Sequence, residues 1–383
     1  MNRVRLATVI ALVLAPAAVR LDATPQFARK YQRDCSFCHL APPVLNAVGE
    51  DFLARGYRLR EALTPVSSHE TMPASLWSTV DYERRANSTT NRGFPGRVEL
   101  ISAGPIGSSR AAYFVEWRLV SQQIASGNTL LNRSGRFEDL FVTTPIGRSP
   151  IAVTVGQFRA ISQVDVSRRL SISEPQVFSA SLPGRAAPSS RMTGLRAFSP
   201  AGRQPAVRVM WQQQDEERPA DGWSAGATVL FPGELTIPFT DAASFENEGT
   251  PKGVVLESFR RAGMRSIGGH VFLGDDRELA MAVGAFNVGS RLIVTTAGGV
   301  ETLGDTTRGR FGLQTEVFLN PVLAVAARLE DRTGTGQRVA GVLSFNVHLP
   351  FGPERLRQAL RVQVEQRLQV DDHRTLIAFS HVF

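Results

Sequence analysis

The sequence predicts a mostly-β protein: an antiparallel barrel of about 16 strands with a small α-helical domain in front of it. Three observations predict this. From Ser75 to the last residue, apolar and polar side chains alternate with a period of two. The chain ends on such a stretch, with Ile377, Phe379, His381 and Phe383 on one side. Before Ser75 the period is helical, and the two cysteines of the chain, Cys35 and Cys38, both lie there.

The first residues predict export. Arg3 and Arg5 precede an apolar run from Leu6 to Leu14, and small residues follow from Ala15 to Ala18 and at Ala23. A basic start, a short apolar core and small residues near a cleavage point describe a signal peptide, residues 1–23. The mature chain then starts near Thr24. No later stretch approaches the ~20 apolar residues that a membrane helix needs.

Two cysteines in one motif do not staple a large exported protein, so their spacing points to chemistry. Cys35-Ser-Phe-Cys38-His39 is a C-x-x-C-H motif. Two thiols one turn apart can each add to a vinyl group of one porphyrin. The adjacent imidazole then ligates the iron as its proximal ligand. The motif therefore predicts one covalent haem c held by Cys35 and Cys38, with His39 as axial ligand. Two other readings fit the pattern less well. A redox dithiol wants a thioredoxin-like βαβ setting, and a zinc site wants two further nearby ligands.

The flanks predict a small helical pocket, residues 24–74. Thr24-Pro25 reads as a helix start, with the helix running through the motif. Pro42-Pro43 ends it, and a second helix follows with Leu45, Val48, Phe52 and Leu53 on one face and Gly56 as its C-terminal cap. For the distal side of the iron there are two nearby candidates, Met72 and His69, with a water or open site as the third option.

Residues 75–383 predict the barrel. Tyr113, Val115, Trp117 and Leu119 alternate with Phe114, Glu116 and Arg118. Similar ladders run over Val207–Trp211, Phe311–Val317, Leu323–Leu329, Val339–Leu349 and Leu360–Leu368. These stretches match the ~9–11 residues of a tilted membrane strand, and Gly, Asp, Asn and Pro fill the turns between them. In a membrane barrel the apolar face meets lipid and the charged face a wet lumen. At about 17 to 20 residues for each strand and turn, this length makes roughly 16 strands. The amphipathic last strand with a terminal Phe resembles the assembly signal of bacterial outer-membrane proteins. Residues 165–191 and 213–222 read as long loops.

Charge narrows the partners. The formal net charge is +8, and of 43 basic residues only Lys30 and Lys252 are lysines. An export signal and arginines spread singly through the alternation exclude a nucleic-acid partner.

The segment around the motif resembles the N-terminal domain of fused monohaem cytochrome–porins, an outer-membrane family that includes bacterial iron oxidases. The residues that carry this are Pro25, Phe27-Ala28-Arg29, Cys35-x-x-Cys38-His39, Pro43, Leu45-Asn46, Gly49, Phe52 and Gly56-Tyr57. The resemblance implies an outer-membrane electron conduit with the haem domain in or at the lumen. Electrons would pass between an extracellular donor, with ferrous iron as one candidate, and a periplasmic electron carrier. An arginine-lined lumen would repel metal cations, which weighs against free ferrous ion inside the barrel. The second expectation is an anion-selective diffusion porin with the haem domain as a plug. The third is a periplasmic cytochrome with a soluble β domain.

Overall fold

The computed structural model describes residues 25–31, 33, 35–41, 44–59, 74–85, 92–93, 97–107, 109–124, 130–132, 135, 137–160, 170, 203–213, 217–218, 221–232, 252–275, 277–320, 322–332, 336–347, 359–369 and 373–382. Every structural statement below concerns these residues. Phe383, His69, Met72 and nearly all of the predicted 165–191 loop lie outside them.

The N-terminal segment holds helix α1 (Pro25–Tyr31), a 3-10 turn (Cys35–Phe37), a two-stranded hairpin of β1 (His39–Ala41) and β2 (Val44–Leu45), and helix α2 (Ala47–Ala54). The barrel wall follows in chain order. Its strands are β3 (Ser75–Arg85), β5 (Arg97–Pro105), β6 (Ala112–Ile124), β8 (Phe137–Pro145), β9 (Ile151–Arg159), β10 (Arg203–Gln212), β11 (Gly222–Leu230) and β12 (Gly253–Ala262). They continue with β13 (Arg265–Gly274), β14 (Arg277–Val288), β15 (Leu292–Leu303), β16 (Thr306–Phe318), β17 (Leu323–Arg332), β18 (Gly336–Val347), β19 (Ala359–Gln369) and β20 (Arg374–Val382). Two stubs, β4 (Arg92–Gly93) and β7 (Leu130–Asn132), extend the hairpins beside them.

The sheet closes on itself. Each strand pairs antiparallel with its chain neighbour, β20 returns to β3 (Phe379 opposite Val80), and β9 meets β10 (Val155 opposite Val207). Without the stubs the ring has sixteen strands, in line with the rough number that the chain length allowed. Closure matters physically, because it leaves no row of unpaired backbone groups to face lipid.

The alternation settles into two faces. On β12, Val255, Glu257 and Phe259 are buried while Leu256 is exposed. On β16, Arg310, Gln314, Glu316 and Phe318 are buried while Phe311 and Val317 are exposed. On β20, Ala378 and Ser380 are buried while Phe379 is exposed. The buried face lines the lumen, since Ala41 and Val44 of the hairpin pack on Phe318, Ala324 and Ala326 of it. Charged side chains therefore point inward and large apolar ones outward, the inverse of a soluble sandwich.

The inner face is not uniform. From β9 to β15 it carries an apolar cluster of Phe158, Leu230, Val255, Phe259, Phe272, Leu279, Met281 and Val283. Around β5, β6, β8 and from β15 to β19 it is ionic. Arg118 pairs with Glu99 (3.3 Å) and with Glu138, Arg310 with Glu301, and Arg328 with Glu330 (3.2 Å) and Glu365 (3.8 Å). Arginines do line this part of the lumen, but with glutamates beside them. The inner arginines in these pairs sit against glutamates, because an unpaired charge on a buried wall costs several kcal/mol.

The N-terminal segment packs across one end of the barrel. Gln26 N–H donates to Ser75 Oγ (3.1 Å) and Arg29 Nη2 to the Ala74 carbonyl (2.7 Å), tying α1 to the first barrel strand. Phe52 and Tyr57 pack on Ala103 of β5 and Ala112 of β6. Arg55 Nη2 reaches the Glu217 carbonyl (3.2 Å), and Glu50 pairs with Arg261 of β12. The hairpin meets Ile293, Phe318 and Ala324 on β15 to β17. These contacts are spread round the ring, at the end where the first strand begins and the last strand finishes.

Candidate functional site

Two sequence expectations about the motif need correction. The first helix does not run through it. It stops at Tyr31, and Cys35 opens a separate 3-10 turn that leads His39 into a short strand. The second helix forms as expected, but Val48 is 41% exposed rather than part of the packed stripe. Phe52 takes most of that load.

One residue, Asn46, holds the motif turn through its side chain and its backbone N–H. Asn46 is the N-cap of α2, accepting from Gly49 N–H at 3.0 Å. An N-cap satisfies one of the helix's orphan donors. The other end of the same amide donates to the carbonyls of Ser36 and Phe37, both at 3.2 Å. Its backbone N–H donates to the Cys38 carbonyl at 3.0 Å. Asn46 thus fixes three successive carbonyls of the C-x-x-C turn and starts the helix behind it.

Gly49 is there for lack of space. A Cβ at that position would lie 2.2 Å from the Cys38 carbonyl oxygen and 2.9 Å from Leu45 Cδ2. Only glycine lets α2 sit this close to the motif. At the other end of α2 the Tyr57 N–H donates to the Phe52 carbonyl (2.9 Å) and the Gly56 N–H to that of Leu53 (3.0 Å). Gly56 stands at φ +64°, the left-handed cap position.

An aromatic cluster fixes the two helices against each other and the wall. Phe27 meets Phe52 edge-on at 4.9 Å and stacks on Tyr57 at 5.4 Å. Tyr57 continues to Phe114 of β6, Phe114 to Phe141 of β8, and Phe141 to Phe158 of β9, at 6.4, 5.5 and 5.8 Å. Rings at such separations attract beyond their buried area. Tyr31 Oη donates to the Tyr57 carbonyl at 3.1 Å.

The donor set at the turn is a thiol, a second cysteine and an imidazole: Cys38, Cys35 and His39. Cys38 is a free thiol, half-buried, and burial pushes it up to about 11. A catalytic redox dithiol needs the reverse, a depressed thiol beside positive charge. Zinc would need a fourth ligand close by. The constrained turn and its residue types fit covalent haem attachment. Asn46 and Gly49 were legible as parts of a motif, but their physical roles appear only once α2 is folded back on the turn.

The inner wall also holds polar clusters that sequence reasoning missed. Glu99, Glu116 and Glu138 bring carboxylate oxygens within 4.8 Å of one another, with Arg118 between two of them. His270 and Glu257 form a further buried polar group inside the apolar cluster. No short motif signals either, because each is assembled from neighbouring strands.

No family model matches the chain, and no curated protein matches it. Among solved structures the chain is similar to an anion-selective porin from Comamonas acidovorans, at TM-score 0.50 and 14% identity, covering 81% of this chain and 98% of that one. It is similar to a mutant of the Rh. blastica porin at TM-score 0.50 and 9% identity, covering 81% of this chain and 99% of that one. At such identities the likeness concerns the fold alone, and that fold is the porin-like outer-membrane β-barrel.

Proposed function

We propose that this chain is an outer-membrane c-type cytochrome fused to its own barrel, passing electrons between an extracellular donor and a periplasmic carrier. The observation that carries the reading is the clamp of Asn46 and Gly49 on the Cys35–His39 turn. A turn held at three carbonyls, presenting a C-x-x-C-H motif and packed into a barrel mouth, has no purpose in a simple diffusion channel. The outward apolar band of Leu256, Phe311, Val325, Leu329 and Phe379 supports a lipid boundary, which an exported barrel meets in the outer membrane.

Cys35 and Cys38 would hold the group through two thioethers, and His39 would ligate its iron. The bound haem supplies reversible one-electron chemistry between Fe(III) and Fe(II). The residues around it position and insulate. Asn46 keeps the ligand turn rigid, the Phe27–Phe52–Tyr57 cluster excludes water behind it, and the paired inner-wall arginines add little net field. One group cannot cross a hydrocarbon core of ~30 Å alone, so a haem carried at the barrel mouth would have the barrel bring donor and acceptor to it.

Cys35→Ala and Cys38→Ala should abolish or sharply reduce haem peroxidase staining after denaturing electrophoresis. Undiminished staining in both variants overturns the reading. A second reading, an anion-selective porin with residues 25–59 as plug, draws on the Comamonas relative's fold. The glutamate-paired inner arginines speak against it. Single-channel recording of the full chain separates the two: a conduit stays largely closed, and a porin conducts anions.

A further inference from the structure

Leu170 lies in the connection between β9 and β10, yet it is fully buried against the opposite end of the barrel. β9 starts at the end that carries the N-terminal segment. There Ile151 pairs with Trp211, beside the β10–β11 turn whose Glu217 carbonyl Arg55 touches. It finishes at the far end, where Arg159 pairs with Arg203. Leu170, however, shares one buried cluster with Ala41 and Val44 of the hairpin and with Ile293, Phe318 and Ala324, at the near ends of β15, β16 and β17. The nine residues of β9 span about 30 Å at ~3.3 Å each. Ala160 and Leu170 are ten positions apart, and ten extended residues cover about 33–36 Å. That reach suffices for a direct run along the lumen. Leu170 is therefore a contact that the far end of the barrel makes with the segment.

A buried acceptor fixes it there. The Leu170 N–H donates to Glu316 Oε1 at 2.6 Å, and Gln314 Nε2 donates to the same oxygen at 3.0 Å. Leu170 and Glu316 are both 0% exposed. A carboxylate out of water is costly unless donors surround it, and its bond to an N–H is about twice as strong as a neutral one. Packing alone would be served by an apolar side chain at this place on β16. The carboxylate instead holds one backbone N–H, and with it the Leu170 side chain.

The hairpin that this side chain meets carries the motif's histidine. β1 begins at His39, next to Cys38, and Ala41 pairs with Val44 of β2. Asn46, which fixes the motif turn, follows β2 directly. A displaced hairpin moves His39 at one end and Asn46 at the other.

We propose that Leu170 is a positioning residue for His39: fixed by Glu316, it seats the hairpin from the lumen side and ties the motif to the connection between β9 and β10. The effect on a haem iron rests on the cytochrome reading above, whereas the seating of the hairpin does not.

The test uses the full chain, with two readouts. One is the fraction of time that the channel conducts in planar bilayers. The other is the electron paramagnetic resonance signal and midpoint potential of the oxidised haem in detergent. Truncating a fully buried leucine shifts the equilibrium that buries it by about ten-fold or more. Leu170→Ala should therefore raise the conducting fraction by about that factor and shift both haem readings, with covalent staining retained. Leu170→Met conserves volume and should return both readouts to wild type. Glu316→Ala should act as Leu170→Ala does, and Glu316→Gln, which keeps an acceptor oxygen, should stay close to wild type. Val44→Ala combined with Leu170→Ala should add little to the larger single effect, since both act on one contact surface. Leu230→Ala is the control. That leucine is equally buried but belongs to the apolar cluster away from the hairpin, so its loss should lower thermal stability and leave both readouts alone. Unchanged readouts in Leu170→Ala, the same changes in Leu230→Ala, or a conductance rise with an unmoved haem signal overturn the proposal. Should Leu170→Ala fail to fold, unchanged readouts in Leu170→Val do so. Absence of covalent haem in wild type is a different failure, that of the cytochrome reading; conductance and the Val44 combination then decide the seat alone.

Discussion

Residues 25–59 and the barrel wall are specified in different ways. In the wall each position obeys an alternation, so most outer residues are interchangeable with any apolar side chain of similar size. In the segment, individual atoms decide. One residue, Asn46, holds three carbonyls, two through its side-chain amide and one through its backbone N–H, and one missing Cβ admits a helix. The wall resembles a rule applied sixteen times, while the segment resembles a lock. The difference teaches where substitution is dangerous: at a few named positions in the segment, and in the wall where its buried face carries a charge or a large apolar side chain or where a glycine such as Gly299 lies against a neighbouring strand.

The largest expected effect lies in that exception. Arg310 and Glu301 face each other from β16 and β15, 4% and 1% exposed. Arg310→Ala leaves the carboxylate buried beside an empty space, a loss of about 3–5 kcal/mol. The double variant Arg310→Met with Glu301→Leu should recover most of it. The temperature at which the folded band disappears in heat-modifiability gels measures both. A single variant as stable as wild type would mean that the wall has no privileged positions.

Next comes a pair of matched glycines. Gly49→Ala drives a Cβ into the Cys38 carbonyl, and overpacking of this kind costs about 1–3 kcal/mol. It should also lower the covalent haem retained per barrel. At Gly298 in β15 the nearest atom to a new Cβ is the Arg310 carbonyl oxygen at 3.6 Å, an ordinary contact, so Gly298→Ala should be silent. Haem staining normalised to folded barrel compares them. Equal yields would erase the contrast between lock and rule.

The sequence carried these two regions unequally. The barrel was legible as a fold, with its strand number approximate, because lipid outside and water inside force a period of two on every strand. The motif stood out as an expectation of chemistry, since only Cys35, Cys38 and His39 have that spacing. The path of the chain through it was not. Helical spacing around Cys35 suggested a continuous helix, yet Asn46 reaches the Ser36 and Phe37 carbonyls only if α1 has already ended. The pairing of the lumen charges was hidden for a related reason: composition counts arginines but does not say which glutamate faces each one. The His270–Glu257 pair was invisible because its two members come from different strands.

The smallest expected effect concerns the seam between the two regions. Glu50 and Arg261 pair where α2 meets β12, with side chains 18% and 26% exposed. Water and salt reach such a pair, so it contributes up to about 1 kcal/mol. Glu50→Gln should therefore leave barrel stability and haem attachment unchanged and only loosen the seating of the segment. One kcal/mol is roughly a five-fold shift in an equilibrium. In planar bilayers the fraction of time that the channel conducts should rise by about that factor or less. The rise should shrink in molar salt, because the wild-type pair is then screened as well. Exchanging the charges, Glu50→Arg with Arg261→Glu, should return the closed channel. A far larger rise, or one indifferent to salt, would place the hold on the segment in this pair rather than in the Tyr57 and Phe52 contacts with β5 and β6.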